Sequence, residues 1–319
     1  MVRPRYAMDF ERTLVELESK LDDLRHSELA DTPELAAEIE LLTREIDVLR
    51  TDTYLHLSPW HRVQIARHPE RPKTQDYIEA LFTDVVELHG DRAFGDDEAI
   101  FAGLATLDQR RVAVLGHRKG ANTNENIRRH FGSPTPEGFR KAMRVMRMAE
   151  KFGLPLVTFL DTPGAYAGPE AEERGQAWAI AESLQLLSAL RVPVVCVGIG
   201  EGGSGGALAI GFGDRLFLLE NAYYSVSSPE ACASIIYRDS GQAENAAGCL
   251  KMTAQDVVNL GIADEMLAEP LGGAHRDPQA VFDVVGGAIS TALDELTGVG
   301  IDALVEDRYA KLRSIGVVC

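Results

Sequence analysis

Gly198-Ile-Gly-Glu-Gly-Gly-Ser-Gly-Gly-Ala-Leu-Ala-Ile-Gly211 follows directly on the apolar run Val194-Val-Cys-Val197. That run is short, rich in β-branched residues and closed by glycine, so it reads as a buried strand over 192–200. The stretch from about 205 to 211 has room for a short helix and no more. The same grammar recurs along the chain. Residues 98–107 and 111–117 read as strands around a turn at Asp108-Gln109-Arg110. Residues 136–152 read as a helix, 154–161 as a buried strand and 170–190 as one long helix. Residues 215–220 and 223–226 read as strands, and 277–313 as mainly helical. Near-continuous apolar strands alternating with helices assign an α/β fold with helices covering a sheet.

Three chemistries can be laid on the glycine segment. Gly198-x-Gly200-x-x-Gly203, with Glu220 at the end of the next strand, matches a dinucleotide fingerprint by pattern. The space between Gly203 and Arg215 is too short for the full crossover helix that fold needs. Gly202-x-Ser204-x-Gly206 matches a nucleophile elbow, for which His275 is the late base on offer. An elbow does not call for both Gly205 and Gly206. The third reading is backbone chemistry. Amides in the first turn of a helix have no intrahelical acceptor, and without side chains around them they form an oxyanion hole. Five glycines (Gly200, Gly202, Gly203, Gly205 and Gly206) exceed what a turn needs, so Gly205 and Gly206 are read as acting through their amides, with Ser204 a small spacer. A second glycine-bearing loop, Asp161-Thr-Pro-Gly-Ala-Tyr-Ala-Gly168, leaves the preceding strand. It resembles the D-x-x-G loop of GTPases, but no phosphate-binding G-x-x-x-x-G-K-[ST] accompanies it. Ligands bind outside the carboxyl ends of such strands, so the two loops share one pocket if their strands are neighbours.

The N-terminal quarter is different. Phe10, Leu14, Leu17, Leu21 and Leu24, then Leu35, Ile39, Leu42, Ile46 and Leu49, recur at helical spacing, with Asp31-Thr-Pro-Glu34 as a helix start. This predicts a helical hairpin, packed on itself or serving as an arm for another subunit. Residues 56–97 read as a connector with a helix over 74–88. The division expected is therefore 1–97, arm and connector, and 98–319, the α/β domain with its C-terminal helices.

Of 319 residues, 45% are hydrophobic and the net charge is −17. Nucleic-acid binding relies on Lys and Arg, and this balance disfavours it. Yet eleven Lys/Arg and three acids lie between Arg110 and Lys151. Arg118, Lys119, Arg128 and Arg129 are the candidates there for an anionic ligand or partner, against solvated faces and intramolecular pairs. Cys196, Cys232, Cys249 and Cys319 form no C-x-x-C pair, and no metal site is expected. Neither a signal-peptide core nor an uninterrupted apolar span stands out, which points to a cytoplasmic protein.

Taken together, Ala66-Arg-His-Pro-Glu-Arg-Pro72, Gly116-His-Arg-Lys-Gly120, Pro136-Glu-Gly-Phe-Arg-Lys141, Asp161-Thr-Pro-Gly-Ala-Tyr166, Glu172-Glu-Arg-Gly-Gln176, Gly200-Glu-Gly-Gly-Ser-Gly-Gly-Ala-Leu-Ala-Ile210, Ser228-Pro-Glu230 and Pro270-Leu-Gly-Gly-Ala-His-Arg276 resemble the alpha subunits of acetyl-CoA carboxylase carboxyltransferase. The resemblance runs through nearly the whole chain in order. It departs at Ala167, where a proline is common, and at Ser227, where an apolar residue is usual. It implies a crotonase (ClpP/crotonase-like) fold of repeated ββα units. It also implies an alpha2beta2 complex in which this chain forms the carboxybiotin side and a beta subunit supplies the acetyl-CoA side and a zinc ribbon. A biotin carboxyl carrier protein would deliver carboxybiotin, and malonyl-CoA for fatty acid synthesis would be the product. On this resemblance Gly205 and Gly206 stabilise charge on the biotin ureido oxygen, while Gly164, Ala165, Tyr166, Gly202, Gly203 and Ser204 shape the biotin pocket. Two rivals share the features of the fold: a crotonase-type acyl-CoA hydratase or isomerase, which needs carboxylates for acid/base work, and a binding module without turnover.

Overall fold

The computed structural model describes residues 6–27 and 32–316. Eight strands form one sheet: β1 (Thr83–Glu87), β2 (Ile100–Leu107), β3 (Arg110–His117), β4 (Leu156–Thr162), β5 (Val194–Gly203), β6 (Arg215–Leu219), β7 (Tyr223–Ser225) and β8 (Glu265–Leu267). The order is β1-β2-β3-β4-β5-β6-β8, with β7 paired to β5. The first three strands are antiparallel and the rest of the path from β3 is parallel. Asp108 and Gln109 both take positive φ (45° and 67°), as a two-residue hairpin turn between twisted strands requires.

Alternation along the strands feeds two cores, one on each face. Val195, Val197 and Ile199 join Phe159, Phe217 and the helix Pro278–Thr297 on one side. Val194 and Cys196 join Leu160, Leu216 and the helix Pro136–Phe152 on the other. Parallel strands are covered on both faces in this way because neither face is polar enough to meet water.

The hairpin Arg12–Arg25 and Pro33–Leu55 forms as its periodicity predicts, burying Leu14, Leu21, Leu42 and Ile46 in its own small core. Thr32 precedes it and Pro33 opens the second helix, whereas Asp31 lies outside the described residues. Two expectations need correction. The helix predicted over 74–88 ends at Leu81, and Thr83–Glu87 is strand β1, so the sheet takes its first strand from before residue 98. The single helix predicted over 170–190 is broken into Pro169–Glu173 and Gln176–Ala189, because Gly175 takes φ +82° between them.

The helix Ile301–Ser314 docks through Leu304, which joins the core, through Lys311, and above all through Arg308. Arg308 is fully buried, and all its donors are used. It forms two bonds to Asp214, at 2.8 Å each, and others to the carbonyls of Leu187, Leu190 and Val192. It therefore caps the end of the helix Gln176–Ala189 and locks the entry to β5, where Asp214 accepts the Val194 N–H at 2.7 Å. Removing this cation takes the guanidinium charge from the buried Asp214 carboxylate and a donor from each of the three carbonyls. Arg308→Met is expected to lower unfolding stability by about 3–5 kcal/mol in urea titrations, and Arg308→Lys to recover little of it, because an ammonium cannot reproduce the planar fork.

Candidate functional site

β4 and β5 are parallel neighbours, so the two glycine loops do leave the same edge of the sheet. Their pairing is regular up to Leu160 opposite Gly198, and then Thr162 pairs with Gly202. Two extra residues therefore bulge from β5. The bulge closes on Asp161, whose Oδ1 accepts the Glu201 N–H at 3.0 Å. A Cβ on Gly200 would lie 2.5 Å from that same oxygen. Beyond the bulge, β5 leaves β6 and pairs with β7, and Ser204 at φ +53° turns the strand into the helix Ser204–Leu208. The amides of Ser204, Gly205 and Gly206 open that helix and have no acceptor within it.

The loop after β4 presses directly on this turn. A Cβ on Gly203 would meet the Pro163 carbonyl at 2.1 Å, and one on Gly206 would meet the Ala165 nitrogen at 2.4 Å. Gly205 differs: a Cβ there would make ordinary contact with Ile180 at 3.5 Å and face open space otherwise. Gly164 takes φ +149°, and Thr162 Oγ1 receives its N–H at 3.1 Å. Tyr166 is anchored by its backbone, donating to the Pro134 carbonyl and accepting from Gln176 Nε2 at 2.8 Å. Its ring lies 4.3 Å from the His130 ring. The structure thus brings Gly164, Ala165, Tyr166, Gly202, Gly203, Ser204, Gly205 and Gly206 together at one junction.

His117, at the end of β3, supports the junction from beneath. Its Nδ1 accepts the Asp161 N–H at 3.4 Å, so its proton sits on Nε2, which donates to the Gly206 carbonyl at 3.1 Å. The ring is fully buried, and burial holds its pKa down to about 3, with Lys119 adding to the effect.

Beside the junction lies a cleft of about 370 Å³, lined by Arg67, Lys73, Lys119, Phe131, Asp161 and Glu201 among others. Lys119 Nζ bridges Asp161 Oδ1 (2.6 Å) and Glu201 Oε1 (2.8 Å). Glu201 Oε2 receives Arg67 Nε (2.7 Å) and the Tyr223 hydroxyl (2.6 Å), and Arg67 continues to Glu230. Burial pushes the Glu201 pKa up, but Lys119 and Arg67 outweigh it and draw the pKa down to about 2.

The basic stretch is mostly spent inside the chain. Arg118 forms a two-pronged bond to Glu87 on β1 and lies over the Phe101 ring. Arg129 bonds the Lys119 carbonyl and Glu125. Arg128, with 60% of its side chain exposed, is the most open of the four. His275, the base required by the hydrolase reading, stacks on His68 at 3.9 Å, and its ring nitrogens have no hydrogen-bond partner, so it does not bond Ser204. Arg67, His117, Asp161, Glu201 and Tyr223 were not singled out as site residues from the sequence. The available signal was position: four of the five stand at or near a strand end.

A mixed sheet whose parallel strands are covered on both faces, with a glycine-built helix start at their carboxyl edge, fits the crotonase fold. Two structures share this fold: transcarboxylase 12S (TM-score 0.58, 19% identity, 72% of this chain and 42% of that one) and a Pseudomonas malonate decarboxylase hetero-dimer (TM-score 0.56, 20% identity, 69% of this chain and 89% of that one). The chain belongs to the acetyl co-enzyme A carboxylase carboxyltransferase-like family, which matches residues 7–316. It is 52% identical over 309 residues to the acetyl-coenzyme A carboxylase carboxyl transferase subunit alpha of Thermus thermophilus, covering 97% of this chain and 98% of that protein. It is 49% identical over 311 residues to the subunit of the same name from Geobacillus thermodenitrificans, covering 98% and 96%.

The two catalytic-candidate glycines should separate in folding experiments. Gly206→Ala is expected to destabilise by about 1–3 kcal/mol, since backbone must move, and Gly205→Ala to stay within about 0.5 kcal/mol. Urea denaturation of the two variants reads the difference. His117 gives a pH test. In the unfolded chain it takes up a proton below about pH 6.5, in the folded chain only near the shifted value. Stability is then lost as pH falls through that window, by up to about 1.4 kcal/mol per unit. His117→Gln, which keeps a donor and an acceptor but does not titrate, should flatten the slope between about pH 6.5 and 5.

Proposed function

We propose that this chain is the alpha subunit of an acetyl-CoA carboxylase carboxyltransferase, which with a beta subunit moves a carboxyl group from carboxybiotin to acetyl-CoA and yields malonyl-CoA. The observation that carries the reading is the near full-length identity of about half to proteins of that name. The chemistry of the junction agrees with it. Carboxybiotin, on a separate carrier protein, would supply the carboxyl group and then the base for the acetyl methyl proton. This chain's part is electrostatic. The Gly205 and Gly206 amides hold negative charge as it develops on the ureido oxygen, with the helix dipole behind them. The Gly164-Ala165-Tyr166 loop walls the pocket, Gly202 and Gly203 keep its floor free of side chains, and Ser204 is a small spacer. Open space over Gly205 leaves room for a planar ring. The beta subunit would complete the acyl-CoA side and carry the zinc.

A hydratase or isomerase needs a carboxylate that can take and give a proton near neutral pH. Glu201 is the acid within the glycine segment, and with its pKa drawn to about 2 by a lysine, an arginine and a tyrosine it is held ionised. No relative named above carries that activity, and the alternative is set aside.

The test is carboxyl transfer in reverse, from malonyl-CoA to free biotin, with this chain alone, with a cognate beta subunit, and with Gly205→Val in the mixture. Activity is expected in the mixture alone. Gly205→Val, whose Cβ the fold accommodates but whose methyls cover the amides, should cost about 3 kcal/mol of barrier, roughly a hundredfold in rate. A stable complex without transfer would overturn the assignment.

A further inference from the structure

Asp161 and Glu201 stand just before the two loops that meet at Gly206, and both carboxylates are buried, with side chains 7% and 8% exposed. One ammonium serves both. Lys119 Nζ contacts Asp161 Oδ1 and Glu201 Oε1, and that Asp161 oxygen also takes the Glu201 N–H within the β-bulge. The bulge sets how far along β5 the helix Ser204–Leu208 begins relative to the Pro163–Ala165 backbone, and so where its first amides point. We propose that Lys119 is a positioning residue for the amide hole: its ammonium bridges two buried carboxylates side by side and thereby pins the bulge. The role deepens the carboxyltransferase reading and rests on it for its kinetic consequence. It contrasts with direct contact between Lys119 and an anionic ligand in the cleft.

The surrounding charges leave Lys119 hard to replace. Arg67 is divided between Glu201 and Glu230, and Tyr223 also bonds Glu201. Arg71 is committed to Glu269, and Lys73 donates to the Gly120 carbonyl. His117 meets the Asp161 backbone as a neutral ring. Without Lys119, Asp161 loses its ammonium partner and Glu201 keeps only Arg67 and Tyr223, so nothing ties the two carboxylates together across the bulge.

The experiment compares wild type, Lys119→Met, Asp161→Asn and the double variant, each in complex with the beta subunit. Reverse carboxyl transfer is followed, and backbone hydrogen exchange is followed over residues 199–209. Lys119→Met is expected to lower kcat about tenfold while the KM for malonyl-CoA moves less than about twofold. Exchange over 199–209 should quicken. Adding Asp161→Asn should restore most of the rate and the slow exchange, because an amide oxygen still accepts the Glu201 N–H with no charge to neutralise. A ligand contact cannot be restored that way: a double variant as slow as Lys119→Met, with exchange unchanged in both, overturns the proposal. If Lys119→Met does not assemble, rescue of assembly by Asp161→Asn supports it and lack of rescue overturns it. If the wild-type complex transfers no carboxyl group, the carboxyltransferase reading fails, and the exchange data alone decide whether Lys119 pins the bulge.

Discussion

Two stretches of backbone, 163–165 and 203–206, meet with no room for a side chain between them: the missing Cβ atoms of Gly203 and Gly206 would sit 2.1 and 2.4 Å from their neighbours. Such an approach stacks peptide groups whose hydrogen bonds cannot all be met by a regular ladder. The nearby polar residues follow from that. Asp161 takes the Glu201 N–H at the register jump, Thr162 takes the Gly164 N–H, and His117 ties the Asp161 backbone to the Gly206 carbonyl. The bulge is therefore a bonded structure, and its glycines answer first to steric contact. Gly205 has space around it, so packing does not demand its lack of a side chain, and the proposed ligand role is what accounts for it.

Using a carboxylate to close a buried bulge brings an electrostatic demand. An ionised acid away from water needs a partner, and breaking such a pair costs more than the pair ever contributes. Lys119 meets that demand for Asp161 and Glu201 together, and Arg67 extends it to Glu230 on the helix Pro229–Ile236. The network draws four separate parts of the chain to one sheet edge: the 59–73 segment, the end of β3, the bulge, and the helix after β7. A similar solution recurs at Arg71–Glu269 and Arg308–Asp214, each bidentate and each joining distant segments. In a chain of net charge −17, Arg67, Arg71, Lys119 and Arg308 are committed to buried acids.

Much of this was legible beforehand, and the exceptions have physical reasons. The helix Pro136–Phe152 and the hairpin periodicities stood out because one face of each is apolar over several turns. The glycine junction was legible because the density of glycine exceeded any turn. β1 was missed because Thr83-Asp-Val-Val-Glu87 is an edge strand with largely exposed residues, and it carries no alternation to distinguish it from the helix before it. The break at Gly175 was hidden in a run of good helix formers on both sides. The basic stretch could not be resolved between its two readings from the sequence, since its partners Glu87, Asp91, Asp96 and Glu98 lie upstream of it, and only the fold brings them alongside.

A hole made of amides works by holding dipoles fixed in a place from which water is excluded, since the same donors in water gain little. The rigid half of that requirement is met within this chain by the bulge, His117 and Lys119. The dry half is not. Ser204 is exposed, Gly205 is half-buried, and Leu208, one turn on from Ser204 on the same helix face, is 38% exposed. A ring seated on Gly205 would have protein on one side and solvent on the other. Water exclusion at this junction must therefore be supplied by whatever closes over it, which accords with the proposed site split between two subunits: one chain would keep its amides rigid, and the other would make their environment apolar only when substrate is between them.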